Sequence, residues 1–232
     1  AEIYRSFLHA DRWGITVKDL KFDFSKIIRR SRDVATLNSK GVEYLFKKNK
    51  IEYIPGTGKL LGQGKVAVSR DGKLHKTVQA KHVIVATGAR ARSIPGVVID
   101  GTKVIDAAAA MTLPKLPKSL IVIGAGAIGV EFAYFYNAFG TKVTLVEMMP
   151  SILPVEDGEI SKLLASNFRK NGIEIITGAK VESVATGKDV TVTVATPEGK
   201  KKLSGEIALM AVGVQGNVEQ LGLEEKGVKT EK

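Results

Sequence analysis

Apolar positions change their period several times along the chain, and each change marks an expected element. From Lys21 to Lys50 they recur at helical spacing, at Phe24, Ile27, Ile28, Leu37, Val42, Leu45 and Phe46, which predicts one long helix with Asp23 or Ser25 as its cap. Ahead of it, residues 1–13 read as the end of another helix, closed near Gly14. Between Ile51 and Ala89 the period drops to two in short runs separated by Gly56, Gly58, Gly62, Gly64 and the turn RDGK. That pattern predicts a small antiparallel meander feeding one buried strand, HVIVATG, at residues 82–88.

Pro95, Gly96, Gly101, Pro114 and Pro117 punctuate a connector with one short helix, DAAAAMTL, and mark an expected domain boundary. Beyond it the apolar runs alternate in type. SLIVIGAG predicts a strand, AIGVEFAYFYNAFG a helix ended by Gly140, KVTLVE a strand, EISKLLASNFRKNG a helix, and IEIITGAKV a third strand. Such alternation predicts a parallel sheet with right-handed crossovers. The stretch DVTVTVATPEGKKKLSGEIALMAVGV then repeats the scheme of KVAVSRDGKLHKTVQAKHVIVATGA: two strands around a charged glycine turn, then an apolar run ending in glycine. The expected fold is therefore α/β, with two related Rossmann-like nucleotide-binding domains, each a parallel sheet plus an antiparallel meander. The first is incomplete, since it lacks the strand and glycine turn that open the second. The expected divisions are residues 1–115, 116–213 and 214–232.

The glycine turn carries the candidate chemistry. Gly124, Gly126 and Gly129 follow an apolar strand and open a helix, with a second strand beyond and Glu147 at its end. In this context the first glycine permits a tight turn, the second lets backbone approach a pyrophosphate, and the third lets helix pack on strand. Amides at the helix start, with its dipole, favour the phosphates. Glu147 stands about twenty residues after the turn, where a carboxylate accepts from the adenosine 2′-hydroxyl and repels a 2′-phosphate. Met148, Met149 and Pro150 follow it instead of arginines, so NAD is expected over NADP. The same turn could serve packing alone, and Glu147 could be a solvated strand end. Glu131, one helical turn in, points either toward the nicotinamide half of a cofactor or simply to water.

Composition narrows the rest. With no cysteine and three scattered histidines, His9, His75 and His82, the chain offers no thiolate, no disulfide and no evident metal site, and no catalytic residue is assigned. Glu156 and Asp157 read as an acidic lead-in to a helix. The net charge of +11 is dispersed, and the 6% aromatic content does not interleave with the lysines as a base-stacking surface requires, so no nucleic acid partner is expected. Glycines break the most apolar run and residues 1–14 lack a signal-peptide pattern, so a soluble protein without membrane partner is expected, in a cytoplasm or an organellar matrix.

The stretches VIGAGAIGVEFAYFYNAFGTKVTLVEMMPSILPVEDGEISK, NGIEIITGAKV and AVGVQGNVEQLGLEE, with HADRWGI and HVIVATGARARSIPG, resemble the FAD-dependent pyridine nucleotide disulfide oxidoreductases. The resemblance covers nearly the whole chain. It is strongest to members that oxidise dihydrolipoamide on a lipoyl domain within 2-oxo acid dehydrogenase complexes and that act as homodimers. It implies the later part of an FAD domain, a whole NAD domain, and the start of a central domain. By resemblance, Gly124, Ala125, Gly126, Ala127, Ile128, Gly129, Val130 and Glu131 bind the pyrophosphate and nicotinamide side of NAD. Glu147 binds the adenine ribose, Val181 the adenine, and Gly213 lines the nicotinamide end. Gly58, with Thr57, touches the FAD adenine, and Thr87, Gly88 and Ala89 border the flavin nucleotide. Val214 and Gln215 stand where family members often carry an arginine. The family's N-terminal glycine turn, redox cysteine pair, late Gly-Asp motif and C-terminal His and Glu have no counterpart here, so the 232 residues alone are expected to be inactive. A mercuric or glutathione reductase, an NADH oxidase, a noncatalytic NAD-binding module and a basic nucleic-acid binder remain alternatives.

Overall fold

The computed structural model describes residues 1–230. In chain order its elements are helix α1 (Glu2–Leu8), helix α2 (Phe24–Lys48), strands β1 (Thr57–Gly62), β2 (Lys65–Arg70), β3 (Lys73–Gln79), β4 (Ala89–Ala91) and β5 (Val104–Ile105), and helix α3 (Ala107–Ala110). Then come β6 (Ser119–Ile123), α4 (Ala127–Ala138), β7 (Lys142–Val146), α5 (Gly158–Lys170), β8 (Glu174–Ile176), β9 (Lys180–Thr186), β10 (Val190–Thr196), β11 (Gly199–Gly205), β12 (Ile207–Met210) and β13 (Val214–Gly216). The chain divides into two compact units: Ala1–Arg30 with Ala91–Gly213, and Ser31–Arg90 with the residues from Val214 onward. One boundary between the units falls after Gly213, and residues 1–30 and 91–115 belong to the unit that holds the parallel sheet. Residues 231 and 232 of the expected third segment lie outside the described residues.

The first unit is built on a five-stranded parallel sheet in the order β5-β12-β6-β7-β8. Its strands are apolar at nearly every position because both faces are covered. Odd and even positions go to different cores. Leu120, Val122, Val143, Leu145 and Leu209 pack on one face with Val130, Ala133 and Tyr136 of α4, Phe168 of α5, and Phe24. Ile121, Ile123, Val146, Ala208 and Met210 pack on the other with Val181, Val190, Val192 and Val194 of the β9-β10-β11 meander. The unit is thus three layers: helices, parallel sheet, antiparallel sheet. Helix α5 starts where expected, with Asp157 Oδ1 accepting from the amides of Glu159 (2.9 Å) and Ile160 (3.2 Å). Helix α3 is capped in the same way by Asp106, which accepts from the Ala109 amide at 2.8 Å.

In the second unit β1, β2 and β3 form the expected antiparallel meander. Its RDGK turn puts both Asp71 (φ 49°) and Gly72 (φ 74°) in the left-handed region, the geometry of a type I′ hairpin. The segment after the meander departs from expectation. Residues 82–88 form no strand, and Ile84 is 90% exposed. No described strand pairs with them, so their apolar side chains have no layer to enter. A small hydrogen-bond network ties residues 87–90 to residues 217–219. In it Thr87 Oγ1 donates to the Asn217 carbonyl at 2.5 Å, and Arg90 donates to both carboxylate oxygens of Glu219 at 2.6 and 2.9 Å. The Asn217 amide donates to the Gly88 carbonyl at 3.0 Å.

Two smaller differences concern the first unit. The run IEIITGAKV is two strands, β8 and β9, because the chain turns at Gly178 (φ 62°) and leaves the parallel sheet for the meander. The connector also contributes a strand that the pattern does not reveal, β5, whose Val104 and Ile105 are buried beside β12.

Candidate functional site

At the carboxyl ends of β6, β7 and β12 the chain passes into three loops, and between them lies a cleft of about 730 Å³. Open parallel sheets bind ligands at this edge, and the volume falls in the range of small-molecule sites. The glycine turn forms its floor. Gly124 has a φ of 99°, and a Cβ there would lie 2.4 Å from the Ala211 carbonyl oxygen. A Cβ on Gly129 would lie 1.9 Å from the Gly124 carbonyl oxygen. Both positions therefore exclude a side chain, one for the turn and the other for the approach of α4. Gly126 is different: a Cβ there meets nothing within 4 Å, since the residue faces the cleft. It is also the N-cap of α4 and no side chain caps the helix, so the first-turn amides carry their partial positive charge uncovered.

Glu147 closes the opposite side. It is 9% exposed, and its carboxylate is held by two backbone amides: Ala125 N–H donates to Oε2 at 2.7 Å and Met149 N–H to Oε1 at 2.8 Å. One carboxylate thus ties the glycine turn to the loop after β7. A second tie is the Leu153 amide, which donates to the Ala125 carbonyl at 2.8 Å. Charge-assisted bonds leave each oxygen with acceptor capacity toward the cleft.

Of the residues expected at this site, Gly124, Gly126, Ala127, Ile128, Glu147, Val181 and Gly213 line the cleft together. Ala125 does not, being fully buried, and acts only through its amide and carbonyl. Gly129 and Val130 are buried behind the turn. Glu131 lines a separate hollow of about 340 Å³, together with Val130, Glu156 and Asp157. In the second unit, Gly58 and Thr87 line a hollow of about 310 Å³ with Val83, Ile84 and Val85, while Gly88 and Ala89 are not among its lining residues. Sequence reasoning missed several cleft residues: Ile94 and Pro95 from the connector, Met148 after Glu147, and Pro154 and Val155 before α5. Met148 and Val155 had a signal, being large apolar residues in a loop that nothing in the pattern buries.

A parallel sheet covered by helices on one face and a meander on the other, with a glycine turn at its carboxyl edge, defines the class: an α/β fold of the dinucleotide-binding kind. The chain belongs to the pyridine nucleotide-disulphide oxidoreductase family, whose model matches residues 10–232. It is 42% identical to the dihydrolipoyl dehydrogenase of Zymomonas mobilis, over 100% of this chain and 50% of that protein. The dihydrolipoyl dehydrogenase of Bacillus subtilis is 37% identical, over 100% of this chain and 51% of that one. Among solved structures, the crystal structure of LpdA from Mycobacterium tuberculosis superposes with a TM-score of 0.89 at 28% identity, covering 100% of this chain and 50% of that one. The flavoprotein disulfide reductase RclA from Escherichia coli gives 0.78 at 27% identity, covering 99% of this chain and 50% of its own length. The chain spans about half the length of the curated relatives it matches. No helix among the described residues is long and apolar enough to cross a membrane.

Proposed function

We propose that residues 116–213 are the NAD-binding domain of a dihydrolipoyl dehydrogenase, with residues 1–115 part of its FAD domain and the residues after 213 the start of its central domain. The observation that carries this reading is the cleft at the carboxyl edge, with Gly126 and the uncapped start of α4 on one side and the Glu147 carboxylate on the other. The residues present fit NAD. The α4 amides would hold the pyrophosphate, Glu147 the adenosine ribose hydroxyls, and Val181 the adenine. Gly213 would border the nicotinamide, and the same carboxylate would repel a 2′-phosphate. When bound, NAD supplies an acceptor for one hydride, and the protein's part is to position it and exclude water.

In the intact protein the net reaction would be oxidation of a dihydrolipoyl dithiol to the cyclic disulfide, with NAD⁺ taking a hydride and one proton released. The dithiol would come from a lipoyl domain of a 2-oxo acid dehydrogenase complex, and the intact protein would be a homodimer using FAD. Of the residues expected at FAD, Gly58 and Thr87 line the second unit's hollow of about 310 Å³ and would hold only part of that group. A chain without cysteine has no thiol to exchange with a dithiol. These 232 residues alone are therefore expected to bind NADH but not to turn over.

Fluorescence titration with NADH and NADPH tests the reading. NADH is expected to bind at least about tenfold tighter, the difference one repelled phosphate makes. A chain that binds neither dinucleotide, or that prefers NADPH, refutes it. Lipoamide-dependent NAD reduction by the purified chain would refute the expected inactivity.

A further inference from the structure

The chain has four methionines and no cysteine, so methionine is its only sulfur. The four differ sharply in environment. Met210 is buried at 2% exposure, Met111 and Met149 are 45% and 44% exposed, and Met148 is 62% exposed. Only Met148 both lines the cleft and is widely open to solvent. It follows Glu147 directly, and the cleft it lines is otherwise mostly apolar, with Val155, Ala179 and Val181 among its residues and Lys180 beside them in sequence. The backbone beneath it is fixed, because Glu147 holds the Met149 amide and the Met149 carbonyl accepts from Gly178 N at 2.9 Å. A change at its sulfur is therefore felt in the cleft.

We propose that Met148 is an oxidation-sensitive position that sets dinucleotide affinity, a role that rests on the NAD reading of the cleft. The oxidant is hydrogen peroxide. The thioether sulfur gives two electrons to the peroxide, the O–O bond breaks, one oxygen stays on sulfur as the sulfoxide, and the other leaves as water with both protons. The apolar contact thereby becomes a strong hydrogen-bond acceptor. A nucleotide lying against this wall strips water from the sulfoxide oxygen, so binding carries its desolvation cost. The change is reversible, since sulfoxide reductases with a thiol reductant restore the thioether.

The test treats the purified chain with hydrogen peroxide, follows each methionine by peptide mass spectrometry, and measures the NADH dissociation constant before and after. Expected are oxidation fastest at Met148 and slowest at Met210, and an affinity loss of about five- to twentyfold, the effect of one uncompensated polar group. Affinity should return on treatment with methionine sulfoxide reductases. NADH present during the treatment should protect Met148 and leave Met111 unprotected. Each variant is compared with itself before and after oxidation: Met148→Leu should show no affinity loss, whatever its starting value, while Met111→Leu should lose affinity as the parent does. The proposal is overturned if Met148 is fully oxidised with unchanged affinity, if Met148→Leu loses affinity to the same degree, or if Met210 reacts as fast as Met148. An untreated chain that does not bind NADH fails the NAD reading itself, and the titration before oxidation separates that failure from these.

Discussion

Replacing Glu147 by Gln probes whether one carboxylate both builds the glycine turn and serves the ligand. In the parent, both oxygens accept from backbone amides, Ala125 at 2.7 Å and Met149 at 2.8 Å. Gln keeps the shape but has one acceptor oxygen. Whichever way the side-chain amide sits, its NH₂ faces a backbone N–H, donor against donor. A hydrogen bond to a charged group contributes about 1.5–3 kcal/mol, so losing one costs about 2 kcal/mol. For a chain of this size that is a fall in Tm of about 4–8 °C. The measurement is thermal unfolding by circular dichroism without nucleotide, followed by NADH titration below the transition. Because the proposed ribose contact is lost along with the turn, NADH affinity should fall by about tenfold or more, and NADPH should lose less because the repelling charge is gone. An unchanged Tm would refute the idea that the carboxylate holds the turn. A lowered Tm with unchanged NADH affinity would leave Glu147 a structural residue and refute its place at the ribose.

Three further outcomes are expected from the geometry. Gly129→Ala puts a Cβ 1.9 Å from one backbone oxygen with no flexible side chain to give way, so α4 must move; a loss of about 3 kcal/mol or more and no detectable NADH binding are expected, read by denaturant unfolding and titration. Tyr136→Phe removes a fully buried hydroxyl that donates to the Ala110 carbonyl at 2.6 Å, leaving that oxygen unpaired at a cost of about 1–2 kcal/mol in urea unfolding. Burial also raises the Tyr136 phenol above its ordinary range, so it should stay un-ionised in an alkaline titration that ionises exposed tyrosines. Finally, the hydrogen bonds from Arg90 hold the Glu219 carboxyl down to about 2, against an ordinary 4.5. A depressed carboxyl contributes its stability above 4.5 and loses it as pH falls toward 2, so the Thr87–Asn217 contacts should loosen in that window. Carboxyl NMR titration reads it, and Arg90→Met should move Glu219 up toward the ordinary range, with the remaining depression left to its backbone hydrogen bonds.

How much of the site was legible in the chain depends on which interactions are local. The turn at Gly124 to Gly129 could be read because its glycine spacing and its flanking strand and helix are local, although the oxygen that excludes a side chain at Gly124 belongs to the distant Ala211. Glu147 could be placed because one helix and one strand of regular rise, α4 and β7, separate it from the turn. The sequence did not reveal that Glu147 is already bonded to two amides, or that Met148 and Val155 complete the cleft wall, since these depend on how the loop after β7 folds back. Strand β5 was missed for a related reason: two apolar residues among glycines and prolines have no period, and Val104 and Ile105 become a strand only because β12 offers an open edge.

The clearest case is the repeated unit. The runs HVIVATG and IALMAVG are both apolar over their middle positions and close on a glycine; the first was expected to be a buried strand and the second an apolar run repeating its scheme. In the second copy Leu209 is fully buried, hydrogen-bonded in register between β5 and β6. In the first copy the corresponding apolar residues are exposed and no described strand pairs with them. Intrinsic strand preference is small compared with pairing and burial, so a similar apolar run yields a strand only where neighbours supply both. A run apolar at every position states that both its faces require cover; it says nothing about whether the cover is in the same polypeptide stretch. That is why the parallel sheet of the first unit could be derived from sequence while the corresponding strand of the second could not.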